Sequence, residues 1–215
     1  MSFDRLAGSY ETLERLSFGG RLQACRVAGL PWIDAPGDVL VLGEGNGRFL
    51  VELALRLPLA RIHVVDGSQK MLALARRRVI ERMPWALDRI RFEQGRLPHF
   101  ELRPGCYDLL VTNFFLDCFD DQGLDRLLPL LDDCLRRDAQ WLLGDFCVPR
   151  AGWRRWRAKA WLAAMYAFFR VTTGLEAREW VDPLPRLEAL DWVCRRAIHM
   201  DRKFLRTLLL ERRNR

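Results

Sequence analysis

The chain has 215 residues, half of them apolar, enough for a sizeable core in a single domain over 1–215 that folds alone. Its 35 Lys and Arg against 28 Asp and Glu leave +7 at neutral pH, a balance that admits contact with anionic surfaces, and no uncharged run reaches the roughly 18 to 20 residues that span a bilayer. Six cysteines stand far apart with no CxxC pair, the three histidines lack metal-ligand spacing and no signal peptide is recognised, so zinc, other metals, disulfides and export are not expected and the protein reads as cytoplasmic.

Residues 1–30 carry Phe3, Leu6, Tyr10, Leu13, Leu16 and Phe18 at helical spacing, then a Gly19-Gly20 break and a second helical piece from Arg21 to Leu30, together a helical cap. A turn-rich link over 31–37 leads into Asp38-Val-Leu-Val-Leu-Gly-Glu-Gly-Asn-Gly-Arg-Phe-Leu50, the stretch on which the rest is organised. Val39 to Leu42 read as a strand buried on both faces of a parallel sheet. Gly43, Gly45 and Gly47 allow a sharp turn and the close approach of a ligand, and Phe49, Leu50, Leu53, Ala54 and Leu57 give the next helix an apolar stripe that stops at Pro58. A second apolar run, Ile62 to Val65, ends on Asp66, 23 residues after Gly43, where a carboxylate can accept from ribose hydroxyls. Three close glycines alone fit an ordinary turn equally well. Strand, helix, acid and second strand in this order favour a nucleotide-type cradle.

The pattern next predicts a helix over Gln69–Met83, with Arg76-Arg77-Arg78 on a solvated face, a third strand over Ile90–Gln94 and a fourth over Tyr107–Asn113. A leucine-rich amphipathic helix over Leu124–Leu135 and a fifth strand over Gln140–Phe146 follow. From Arg150 to Gly174, Trp153, Trp156, Ala160, Ala164 and Phe168 keep helical spacing, joined by Trp161, Met165 and Phe169, with Arg150, Arg154, Arg155, Arg157 and Lys159 crowded at one end. Three readings stay open for this helix: aromatics lining a pocket for a lipophilic acceptor, peripheral contact of 150–170 with an anionic membrane face, and plain docking on the core. Trp192–Met200 and Phe204–Glu211 read as a terminal hairpin.

A dinucleotide fingerprint would put its third glycine at position 48, which is Arg48. Gly43-x-Gly45-x-Gly47 instead resembles motif I of the class I S-adenosylmethionine (SAM) dependent methyltransferases, and His63-Val-Val-Asp-Gly-Ser-Gln-Lys-Met-Leu72 resembles that family's second cofactor segment. The resemblance covers nearly the whole chain and is most specific over 38–72. It implies an α/β, Rossmann-like fold, a doubly wound seven-stranded mostly parallel sheet with an antiparallel last strand, divided into the cap over 1–30, a SAM-binding core over 38–146, a helical substrate cover over 150–174 and a hairpin over 190–212. It also implies SAM as cofactor, S-adenosylhomocysteine as product and no metal.

In the family's pattern Asp66 would bind ribose beside Gly67 and Ser68, and Met71 would pack on adenine. Cofactor contacts are expected from Gly43, Glu44, Gly45, Asn46 and Gly47 of the loop, from Gly95, Arg96 and Leu97 after the third strand, and from Asn113 and Phe114 after the fourth. Phe3-Asp-Arg-Leu-Ala-x-x-Tyr10 resembles the lids of ubiquinone/menaquinone-type small-molecule methyltransferases, which makes Tyr10 either a lid contact or an aromatic that packs the cap. Three positions depart from the pattern. Val41 stands where the family has an acid two residues before the first glycine, and Glu44 either takes over that acid's work near the charged amino-acid end of SAM or lies in solvent. Arg96 stands for an Asp that reaches the adenine amino group, so that recognition passes to backbone groups, Leu97 or guanidinium stacking. Asp191 stands for the glycine that opens the final hairpin.

Asn113-Phe-Phe-Leu116 lacks the prolines of enzymes that methylate planar amino groups, and its aromatics suit an apolar or aromatic acceptor. Phe115, Trp153, Trp156, Tyr166 and Phe169 are the expected substrate contacts. Asp117 and His99 are the candidate catalytic groups, with Asp145 and Tyr166 behind them, and Asp117 alternatively caps the helix that begins near Asp120. The expected activity is methyl transfer to a small aromatic or lipid-like metabolite of secondary metabolism, with no nucleic-acid partner. Two alternatives remain: an RNA methyltransferase, motivated by the +7 charge, and a non-catalytic SAM-binding scaffold, motivated by Val41 and Arg96.

Overall fold

The computed structural model describes Asp4 and residues 18–149, 151–175 and 177–213. Tyr10 and Arg150 lie outside the described residues. Seven strands form one sheet: β1 Asp38–Leu42, β2 Arg61–Asp66, β3 Ile90–Gln94, β4 Tyr107–Asn113, β5 Leu135–Phe146, β6 Trp192–Met200 and β7 Leu205–Arg212. Their order across the sheet is β3-β2-β1-β4-β5-β7-β6, and β7 runs antiparallel to both of its neighbours. The helices are α1 Arg21–Val27, α2 Arg48–Arg56, α3 Gln69–Arg82, α4 Asp121–Asp133, α5 Trp153–Thr173 and α6 Leu184–Ala189.

Short apolar runs become central strands because both of their faces are covered. Val39 and Val41 point into a cluster with Phe49, Leu50, Leu53 and Val79 from α2 and α3. Leu40 and Leu42 point the other way, toward Leu124, Leu127, Leu128 and Leu131 of α4. Period-2 alternation thus sorts one uniformly apolar strand into two cores. A third cluster joins α1 and α5 through Phe18, Leu22, Leu162 and Tyr166 at the carboxyl end of β5 and the amino end of β7. β1 pairs in parallel with both β2 and β4, so the chain reverses its direction of winding between β1 and β4, where open α/β sheets bind ligands.

The third and fourth strands fall on the expected residues, and the terminal hairpin forms. β5 is longer than expected and starts at Leu135, which pairs with Tyr107 before extra residues of β5 bulge out ahead of the next pair, Leu109 with Gln140. The helix expected to start at Leu124 starts at Asp121. Asp120 caps it by accepting from the Gly123 N–H at 2.7 Å, which leaves Asp117 outside the cap.

Candidate functional site

A cleft of about 560 Å³ opens at the carboxyl ends of β1, β2 and β4. Its floor is the glycine loop. Gly43 has φ 65° and sits under Phe115, whose Cδ2 would be 2.6 Å from a Cβ at this position. Gly45 has φ 72° and no atom within 4 Å of its Cβ direction, so its open side is cleft. Gly47 serves packing instead: a Cβ there would meet Ala75 Cα at 2.6 Å, and only glycine lets α2 and α3 come this close.

Asp66 forms one wall. Its carboxylate accepts from the Gly45 N–H at 3.0 Å and the Ser68 N–H at 2.8 Å, and burial nonetheless raises its pKa. Two backbone donors leave lone pairs free on a carboxylate that accepts about four bonds, so ribose hydroxyls fit here. Met71, Gly67, Gly95, Arg96 and Leu97 complete this side, with the Arg96 side chain lying along Gly67. Ser68 is placed differently. Its hydroxyl donates to Asp4 at 2.6 Å and accepts from the Met71 N–H at 3.2 Å as the cap of α3, so it shapes the wall from behind.

The Glu44 carboxylate turns inward and accepts from the Leu50 N–H at 2.9 Å, closing the amino end of α2 with the chain's own acid. Burial pushes this carboxyl up to about 8, with the Leu50 bond opposing. Neither sequence expectation anticipated this placement. The consequence is chemical: the helix terminus that would hold a pyrophosphate is already taken up by the chain's own carboxyl group, so the cradle suits a nucleoside without phosphate, as SAM is. Asn46 lies half-exposed in the same loop.

The opposite wall is aromatic. Phe114, Phe115 and Phe119 border the cleft, with Phe115 and Phe119 edge-on at 5.3 Å. Phe114 has φ 53°, a left-handed conformation that costs a non-glycine residue roughly 1–2 kcal/mol. It is held by its N–H on the Gly144 carbonyl at 2.7 Å, by Phe146 at 5.0 Å and by the Arg26 guanidinium over its ring at 5.4 Å.

Behind this wall lies a buried polar cluster. Asn113 is 8 % exposed, and its amide oxygen and nitrogen find no hydrogen-bond partner among the described residues. Asp117, 7 % exposed, sits on a single 3₁₀ turn with Oδ1 equally unpartnered, while its backbone carbonyl accepts from the Tyr166 hydroxyl at 3.0 Å. Burial first, and then the charge of Asp145, push the Asp117 carboxyl up. Burial also pushes Asp145 up, against the pull of Arg206, which donates to it at 3.1 Å and to Asp182 at 2.7 Å. Trp180 Nε1 adds a donor to Asp145 at 3.3 Å.

The cleft therefore gathers most of the expected cofactor residues, together with Phe115 and the exposed His99. It does not gather the tryptophans. Trp153 and Trp156 are 60 % and 75 % exposed and point away from the fold, because α5 docks through Ala158, Leu162, Tyr166 and Thr173 on its other side. Tyr166 is buried and Phe169 half-buried in the cluster of α1 and α5. Arg26, Arg206, Trp180 and Asp182 escaped the sequence reading. Arg206 lies 61 residues from the acid it neutralises, and no local pattern signals such a pair.

A methyltransferase-domain family model matches residues 39–138. None of the curated proteins matches the chain in sequence. Among solved structures, geranyl diphosphate C-methyltransferase from Streptomyces coelicolor superposes with a TM-score of 0.72 over 95 % of this chain and 86 % of that one, at 14 % identity. An O-methyltransferase family 2 protein from Planctomyces limnophilus, solved with apigenin, gives 0.69 over 96 % and 62 % at 19 % identity. Mitomycin 7-O-methyltransferase gives 0.67 over 99 % and 61 % at 17 % identity. The chain spans about three-fifths of the last two, and all three share its fold.

Proposed function

We propose that this chain, whose residues 39–138 match a methyltransferase-domain family model, is a class I SAM-dependent methyltransferase that transfers the methyl group of SAM, by in-line displacement, to a small apolar metabolite, aromatic or lipid-like. One observation carries the reading: the glycine cradle with Asp66 and the wall of Phe114, Phe115 and Phe119 face each other across one cleft. Structural neighbours named for mitomycin and geranyl diphosphate, and one solved with apigenin, support a small-molecule acceptor.

SAM supplies a methyl group already activated by its sulfonium, so the protein's work is orientation and exclusion of water. Asp66 would hold ribose, and the Gly45 backbone would lie against the nucleoside. Phe115 and Phe119 would stack on the acceptor and keep water out. An unpartnered carboxyl or amide atom inside a fold costs roughly 1–3 kcal/mol, and an acceptor hydroxyl that reached past the aromatic wall would supply partners for Asp117 Oδ1 and the Asn113 amide. Burial raises the Asp117 carboxyl well above the ordinary carboxylate range, so its ionised form is a stronger base than an ordinary carboxylate and is matched to accepting that hydroxyl's proton. His99, exposed at the rim, is the second candidate for the same task.

The test is methyl transfer from isotopically labelled SAM to a panel of phenols, quinols and polyene acids, with total RNA as the competing acceptor. Turnover on any small acceptor that is reduced at least tenfold in Asp117→Asn is expected. Methylation of RNA with no small acceptor used would overturn the proposal.

A further inference from the structure

We infer that the outward face of α5 docks on an anionic lipid surface. The helix carries apolar residues on every side, interspersed with cations. Ala158, Leu162, Tyr166 and Thr173 bury its inner side, so Trp153, Trp156, Phe168 and Val171 point outward at 60, 75, 42 and 86 % exposure, while Trp161 packs edge-on against Phe18 at 5.8 Å. Trp156, Ala160, Ala163, Ala167 and Val171 form one exposed row at spacings of three and four. Contiguous apolar surface of this kind marks an interaction site.

Charge identifies the occupant. Residues 151–175 contain no Asp or Glu, while Arg154, Arg155, Arg157, Lys159 and Arg170 are all exposed along the same helix. The β6–β7 turn adds exposed Arg202 and Lys203, with the Arg202 guanidinium 6.0 Å over the Trp153 ring. The acid of that turn, Asp201, is matched by Arg21 at 3.7 Å. Indole rings flanked by guanidinium groups suit the boundary between acyl chains and anionic headgroups, where the rings sit in the interface and the cations neutralise phosphates. Among the described residues no helix is long and apolar enough to cross a membrane, so α5 would lie in the plane of the surface. Its inner side carries Tyr166, bonded to the Asp117 carbonyl at 3.0 Å, and a docked α5 would set the candidate site beside the lipid. The delivery of a lipid-like acceptor from that side rests on the proposed function; the docking does not.

Vesicle flotation of the full chain tests the docking without cofactor or turnover, so its failure is separable from failure of the methyl-transfer reading. The vesicles are phosphatidylcholine alone and phosphatidylcholine with about one third phosphatidylglycerol. At least about tenfold more binding to the anionic vesicles is expected, declining with salt and accompanied by a blue shift of tryptophan emission. Trp153→Ser/Trp156→Ser and Arg154→Glu/Arg155→Glu should each reduce that binding about tenfold, with unfolding midpoints equal to the parent's because the side chains are exposed. Equal binding to both vesicle types, or no binding, overturns the proposal. So does self-association that the tryptophan pair abolishes, which would make the face a contact between two copies of this chain.

Discussion

The Tyr166 hydroxyl donates to the backbone carbonyl of Asp117 across 3.0 Å, tying α5 to the turn that follows β4. One bond thus links the helix with the apolar outer face to the only carboxylate in that turn. Its removal in Tyr166→Phe should lower stability by about 1 kcal/mol, since the carbonyl loses a buried partner. The same variant should weaken acceptor kcat/KM and leave S-adenosylhomocysteine affinity unchanged, because the cofactor side is anchored on β1 and β2. Denaturant melts and calorimetry read the two effects separately.

The cofactor side has its own pair of tests. Asp66→Ala should weaken S-adenosylhomocysteine binding by about 1.5–3 kcal/mol, the value of hydrogen bonds to a charged group. Gly45→Ala places a methyl group into the open side of the loop and strains φ 72°, so affinity should fall by more than stability does. Calorimetric titration beside thermal unfolding of each variant decides both.

Glu44 predicts a pH dependence. Its native carboxyl is raised from 4.5 to about 8 by burial, so the native state holds the proton more tightly than the unfolded chain does. The stability this group contributes is complete below pH 4.5 and is lost as pH rises toward 8. Glu44→Gln keeps an acceptor for the Leu50 N–H and removes the titration. The variant should melt with the parent at acidic pH and above it at pH 8, by an amount on the order of a few kcal/mol.

Arg206 faces Asp145 and Asp182 at 3 % exposure. Arg206→Met should cost about 3–5 kcal/mol, because a buried carboxylate is left without its cation, and Asp145→Asn in the same chain should recover part of the loss. Urea unfolding of the single and double variants measures the coupling.

Local patterns carried the sheet and the cradle well. The ends of β3 and β4, the acid at Asp66 and the turn at Gly43 all follow from alternation and spacing within a few residues. What escaped has long reach or no periodicity. The side of α5 that faces water was illegible because apolar residues surround the helix, and a moment needs a polar face to point away from. Asp117 fits a cap or a base equally well in the sequence, and the Asp120 bond to the Gly123 N–H removes the first role. The placement of Glu44 over the start of α2 has no sequence signal, since an acid between glycines can turn toward either a ligand or a helix.

Phe114 holds a left-handed backbone that glycine or asparagine adopts with less strain. Two laboratory selections would therefore treat this position in opposite ways. Selection for heat resistance alone would replace the ring early and relax the turn, whereas selection that also demanded turnover would retain it, making codon 114 a record of which pressure the population had met.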